Sequence, residues 1–174
     1  HSNKNHVMNI LCTLCVLKEL NLDFNKINSF FKSYTFLKGR GKINKIKKNN
    51  KNFYLIDESY NANPLSVKSE IENFSNIEKG TKKKYLLFGD MLELGKKSSI
   101  YHKNVSKLIN KSDIDKTYVY GKKSVETYKF LKNKKKDEII KDLKSFNSKI
   151  SKVLKNGDFL MIKGSNATKL HQIS

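Results

Sequence analysis

From residue 53 onward the chain repeats one phrase: a short apolar run, a polar loop, then a stretch with helical spacing. The apolar runs are residues 53–56, 85–88, 117–120 and 159–162. The intervening spacing predicts helices over residues 64–76, 99–110 and 146–154, one more after Gly121, and a last short one after Ser165. Runs this short and uniformly apolar suit strands buried on both faces, and helices between them make the connections crossovers rather than hairpins. The expected fold class is α/β: a mostly parallel, Rossmann-like sheet with helices on both faces. Pro64, the only proline, falls where a first helical turn tolerates it, and Asn156-Gly157 is a helix-stop signal.

Right-handed crossovers put every strand-to-helix loop along one edge of such a sheet, and ligands bind outside that edge. Three of the loops are conspicuously polar. The first is in LIDESYNANP, where a strand runs straight into Asp57, Glu58, Ser59, Tyr60, Asn61 and Asn63; the others are GDMLELG, with Asp90, and Lys163-Gly164-Ser165. Asp57 can accept from a ribose hydroxyl or orient a neighbour, Asn61 and Asn63 each offer donor and acceptor together, and Lys163 brings a compact positive charge. Asn, Asp and Ser also populate turns and helix caps for backbone reasons alone. Their recurrence at corresponding strand ends is what favours a shared site.

Ahead of the alternating part, residues 7–20 show helical spacing, and Asp23 can cap a second helix with Phe24, Ile27, Phe30 and Phe31 on its buried face. Cys12 and Cys15 lie in the first apolar stretch and are expected as reduced core residues, since no second ligand pair accompanies them. Lys38-Gly39-Arg40-Gly41-Lys42 then breaks the pattern, which places a domain boundary between residues 1–37 and 38–174. Arg40 is the only arginine in the chain. A guanidinium between two glycines can approach a phosphate closely and stabilise charge on a transferring phosphoryl group. His102 is expected on a helix surface or in packing, and no histidine has partners at metal-binding spacing.

The charge balance is lopsided, 36 basic against 16 acidic residues, a formal +20. Such a surplus usually points to polyanions. Here it is almost wholly lysine, spread evenly with abundant asparagine, as biased codon usage would produce, and proteins that read bases lean on arginine. Nucleic acid is therefore not an expected partner. Nor is a membrane, because the longest apolar run is too short to span one. No G-x-x-x-x-G-K-[ST], G-x-G-x-x-G or G-x-S-x-G is present, so any nucleotide chemistry needs a phosphate loop supplied from elsewhere.

DESYNANP at residues 57–64, GDMLELG at 89–95 with His102 downstream, and DFLMIKGS at 158–165 together resemble the C-terminal domain of the Mur ligase family. NHVMNIL at residues 5–11 and LKGR at 37–40 resemble the last helices of that family's central ATP-binding domain and the junction after it. The closest pattern is that of the members adding D-alanyl-D-alanine to UDP-N-acetylmuramoyl-tripeptide. The resemblance implies an ATP-dependent amide ligase acting through an acyl phosphate, a monomeric cytoplasmic bacterial enzyme of peptidoglycan synthesis. Its magnesium site would lie in a central domain missing here, so the piece would be inactive alone. It implies further that Asn9 lies beside the adenine, Arg40 acts catalytically on the ATP phosphates, and Asp57 with Asn61 holds the nucleotide. Asn63, Asp90, Lys163 and Ser165 would face the dipeptide. Another Mur-type amide ligase, or a non-catalytic basic module binding polyanions, are the alternatives.

Overall fold

The structure, a computed structural model, describes residues 4–23, 39–41 and 43–173. The chain divides into two compact units, His1–Phe36 and Leu37–Ser174. The first contains helix α1 (Lys4–Glu19), closed by Asn21 in the left-handed region at φ 53°. Cys12 and Cys15 are exposed rather than buried, as are Val7, Met8, Leu11 and Val16. An apolar helix needs a second layer to cover its stripe, and the described residues of this unit supply none. The expected second helix, with Phe24, Ile27, Phe30 and Phe31, lies outside the described residues.

The second unit is built on a six-stranded sheet. Its strands are β1 (Ile43–Lys48), β2 (Lys51–Glu58), β3 (Lys84–Gly89), β4 (Lys116–Tyr120), β5 (Lys136–Ile140) and β6 (Phe159–Lys163), in the spatial order β1-β2-β6-β3-β4-β5. Every pair from β2 to β5 is parallel; only β1 runs antiparallel, against β2. The helices are α2 (Pro64–Ser75), α3 (Ser98–Lys111), α4 (Ser124–Lys129) and α5 (Leu143–Val153). The expected α/β fold is what forms. The last short helix resolves into two 3-10 turns, Asn166–Thr168 and Leu170–Gln172, hinged at Lys169 with φ 58°.

Strand alternation sorts the core into two layers. Ile56, Leu86, Phe88 and Met161 face Val67, Ile71 and Phe74 of α2 and Val105 and Ile109 of α3. Leu55, Tyr85, Leu87, Leu160 and Ile162 face Phe146 and Ile150 of α5, with Leu170 closing the end. Helix α2 starts sharply because Asn63 Oδ1 accepts from Ser66 N at 2.8 Å, Ser66 Oγ accepts from Asn63 N at 3.1 Å, and Pro64 occupies the first turn. Its buried stripe is Val67, Glu70, Ile71 and Phe74, a helical spacing with one carboxyl in it.

The two edge strands carry too little apolar signal to stand out in the sequence. β1 is INKIKK and β5 is KDEII, each covered on one side only. The β1–β2 hairpin is made by Asn49 and Asn50, both at positive φ (52° and 57°), the conformation a two-residue turn demands and asparagine tolerates. Among the described residues no helix is long and apolar enough to cross a membrane.

Candidate functional site

Because β2, β6, β3 and β4 are parallel, their polar carboxyl-terminal loops emerge along one rim, and hydrogen bonds tie three of them together. Ser165, just beyond β6, is the knot: its amide donates to Asp90 O at 3.1 Å, and its Oγ accepts from Leu92 N at 3.0 Å while reaching Ala62 O at 3.5 Å. Close approach of the β3 and β6 ends needs Gly89 and Gly164. A Cβ on either would sit 2.6 Å from Leu170 Cδ1.

On the β2 side, Asp57 is buried, and its Oδ1 accepts from the amide of Ser59 at 3.1 Å and the hydroxyl of Ser59 at 2.5 Å. Its other oxygen, Oδ2, is buried with no hydrogen-bond partner among the described residues. A buried carboxylate oxygen left open costs free energy unless something binds there. The backbone around Arg40 is fastened to the same strand end: Gly41 N donates to Asp57 O at 2.8 Å and Tyr60 N to Gly39 O at 3.3 Å. The Arg40 guanidinium, exposed, lies over the Tyr60 ring with 4.2 Å to its centroid. That stacking fixes the plane of the guanidinium without using its N–H donors.

The other expected residues have distinct surroundings. Asn61 is exposed, and its carbonyl accepts from Lys163 Nζ at 2.7 Å. Asn63 is committed to capping α2. Asp90 Oδ1 accepts from Lys123 N at 3.0 Å and Ser124 N at 2.7 Å, holding the start of α4; a Cβ at Gly121 would fall 2.4 Å from that oxygen. Lys163 is buried, not presented to solvent. Asn9 is exposed on α1, where its carbonyl accepts from Thr13 Oγ1 at 2.9 Å. The rim thus brings together Arg40, Asp57, Asn61, Asn63, Asp90, Lys163 and Ser165, whereas Asn9 belongs to the other unit.

His102 turns out to be a fully buried packing residue. Its Nδ1 donates to Ser98 O at 2.8 Å, and its Nε2 accepts from Met91 N at 3.1 Å. Burial holds the imidazole below the ordinary histidine range, so this neutral tautomer is the stable one and it clamps the loop after β3.

Two further carboxyls belong here: Glu58, which the sequence marked only as one of the polar loop residues with no role, and Glu70, which it did not mark at all. Glu58 pairs with Lys163 in the β2–β6 ladder, and its Oε2 lies 4.0 Å from Lys163 Nζ. Glu70 reaches the same place from α2, and its charge acts on the Glu58 carboxyl. Burial, reinforced by the charge of Glu70, pushes the Glu58 carboxyl up to about 8. Burial likewise draws Lys163 below the ordinary lysine range, against the pull of Glu58 and Glu70. The available signal was an acid inside the apolar stripe of α2. Among the described residues, no three His, Cys, Asp or Glu side chains gather to hold a metal.

A parallel sheet whose strand-end loops are tied into one rim, with a buried unpaired carboxylate oxygen and a stacked arginine beside it, is the arrangement at which open α/β sheets bind ligands. Residues 42–166 match the Mur ligase, glutamate ligase domain, and the chain belongs to the Mur ligase family. Its curated relatives include the UDP-N-acetylmuramoyl-tripeptide–D-alanyl-D-alanine ligase of Bacillus subtilis, 31% identical over 145 residues that cover 82% of this chain and 32% of that protein. The enzyme of the same name from Buchnera aphidicola subsp. Baizongia pistaciae is 32% identical over 178 residues, covering 97% and 35%. The fold matches the crystal structure of a MurF ligase from Thermotoga maritima in complex with ADP, with TM-score 0.78 and 24% identity over 99% of this chain and 38% of that one. The chain spans about a third of the length of these curated relatives.

Proposed function

We propose that the chain is the C-terminal part of an ATP-dependent peptidoglycan-precursor ligase, cytoplasmic and monomeric, that joins D-alanyl-D-alanine to UDP-N-acetylmuramoyl-tripeptide. The names of its relatives support the substrate pair, and the open Oδ2 of Asp57 beside the Arg40–Tyr60 stack is the observation that supports nucleotide binding here. When bound, ATP supplies a phosphoryl group that activates the terminal carboxylate of the tripeptide for attack by the dipeptide amine. The chain's own contribution is positioning and charge neutralisation. Asp57 with Asn61 holds the nucleotide, Asn61 adding a donor and acceptor at the exposed end of the loop, and Arg40 directs its guanidinium at the phosphates. Asn9 contributes at the adenine.

On the dipeptide side the roles divide. Asn63, Asp90 and Ser165 use their side chains to hold loop backbones, and it is those backbones that line the place of the dipeptide. In this reading magnesium, needed to neutralise the ATP phosphates, has its ligands in a further domain of the same protein. Amide formation by the complete protein, followed as ADP release and product mass with ATP, the tripeptide precursor and D-alanyl-D-alanine, tests the proposal. Product only with a single amino acid in place of the dipeptide would move it to another Mur-type ligase. No ATP-dependent product with any amine would overturn it.

A further inference from the structure

The buried Glu58–Glu70–Lys163 cluster lies directly beneath the loop that carries Tyr60, Asn61 and Ala62. Its geometry follows from the fold: Glu58 and Lys163 are ladder partners on adjacent parallel strands and share the face that α2 covers, and Glu70 is on the covering stripe. Parallel pairing alone would leave two long polar side chains pointing under a helix. Here they are nearly solvent-free, with side chains 10% and 3% exposed for Glu58 and Lys163.

We propose that Lys163 is a positioning residue: braced by Glu58 and Glu70, its ammonium pins the Asn61 carbonyl and thereby fixes the loop that brings Tyr60 and Asn61 to the site. The bond to Asn61 O is 2.7 Å, shorter and better formed than the 4.0 Å approach to Glu58, so the lysine's strongest single contact is with the loop. Two carboxyls and one ammonium in so dry a place are neutral only if one carboxyl is protonated, and burial together with the nearby charge of Glu70 makes Glu58 that one. The groups facing Glu58 are Glu70 from α2, Lys163 from β6 and Asp57 on its own strand, and Lys163 also feels Arg40. Loss of the Glu58 proton adds a second negative charge under the loop and draws Lys163 from Asn61 toward Glu58. The brace therefore holds with the proton in place and loosens once it leaves, at about pH 8.

The experiment has two arms. Carbon-13 carboxyl titration of this chain should show Glu58 ionising near pH 8, with the Asn61 and Ala62 amide signals moving at the same midpoint. Glu70→Gln, nearly isosteric, should lower both midpoints by about one pH unit or more, the scale of removing one close like charge. Lys163→Met should displace those amide signals at every pH. In the complete ligase the pH–rate profile should carry an alkaline limb that Glu70→Gln moves to lower pH. Lys163→Met should lower kcat about tenfold with a smaller change in KM, as expected for a misplaced positioning loop. Asn61 and Ala62 amides that ignore the Glu58 midpoint, or an alkaline limb unmoved by Glu70→Gln, would overturn the proposal. The kinetic arm rests on the proposed function; a complete protein without ligase activity would sink that reading and leave the titration to decide the brace by itself.

Discussion

The two ends of the β-sheet are both rich in charge, yet they use it in opposite ways. At the amino-terminal edge every prominent charge has a partner. Fully buried Lys84 donates from Nζ to Ser75 O at 2.7 Å and lies 3.3 Å from Asp113; Asp115 takes the amide of Lys84 and the ammonium of Lys79, each at 2.8 Å. Asp158 accepts from Lys83 N at 2.9 Å and Lys155 N at 2.8 Å, one bond to each oxygen. At the carboxyl-terminal rim, Asp57 Oδ2 has no partner among the described residues, Glu58 is held near neutrality by burial, and the exposed Arg40 stacks on Tyr60. Satisfied charge staples secondary structure together; charge left incompletely satisfied on a rigid frame is what a ligand can complete.

If that contrast is right, mutations at the two edges should separate stability from turnover. Lys84→Ala removes a buried ammonium bonded to a helix-end carbonyl and should destabilise the fold by about 1.5–3 kcal/mol, the range for hydrogen bonds to a charged group, read as a shift in urea midpoint. Turnover per folded complete enzyme should stay near normal. Arg40→Ala should do the reverse: roughly tenfold or more off turnover, about 1.4 kcal/mol of barrier, with an unfolding midpoint close to that of the parent. A normal rate of ADP release in that variant would remove Arg40 from the mechanism.

The His102 clamp beneath the rim gives a finer test. A histidine whose folded pKa is depressed binds fewer protons folded than unfolded. Stability should therefore fall as pH drops below the ordinary value near 6.5, until the folded form too is protonated. His102→Gln keeps an acceptor for Met91 N and removes the titration, so its urea midpoint should depend less on pH between about 6.5 and 5 than that of the parent. Glu58 acts with the opposite sign, since its raised pKa gives stability that declines between its ordinary 4.5 and about 8; the comparison must be made between variants at the same pH. Least of all should come from the surface. Lys149→Ala, which breaks an exposed pair with Glu138, should cost under about 1 kcal/mol by the same urea assay.

The four central strands and the helices between them were legible because each carries a period or a run that only one secondary structure satisfies. The lysine-rich β1 and the charged start of β5 were not, since an edge strand needs little apolar surface and takes its conformation from the neighbour it pairs with. Among the site residues, Asp57 and Arg40 could be named from the polar loop and the lone guanidinium. Lys163 was legible as a charge at a strand end, but not as a buried one. Its inward turn depends on Glu70, which is a surface-type residue until α2 is laid over β2 and β6.

By itself the sequence determined the order and kind of the core elements, and hence that the strand-end loops share a rim. Those features follow from local periodicity and from the chirality of parallel crossovers, which any similar chain obeys. Only the tertiary structure decided which polar groups on that rim are used up by the protein and which remain open. Hydrogen-bond satisfaction depends on distances between residues far apart in the chain, and Asp90 finding the start of α4 while Asp57 finds only half its partners is not written in either residue's neighbours.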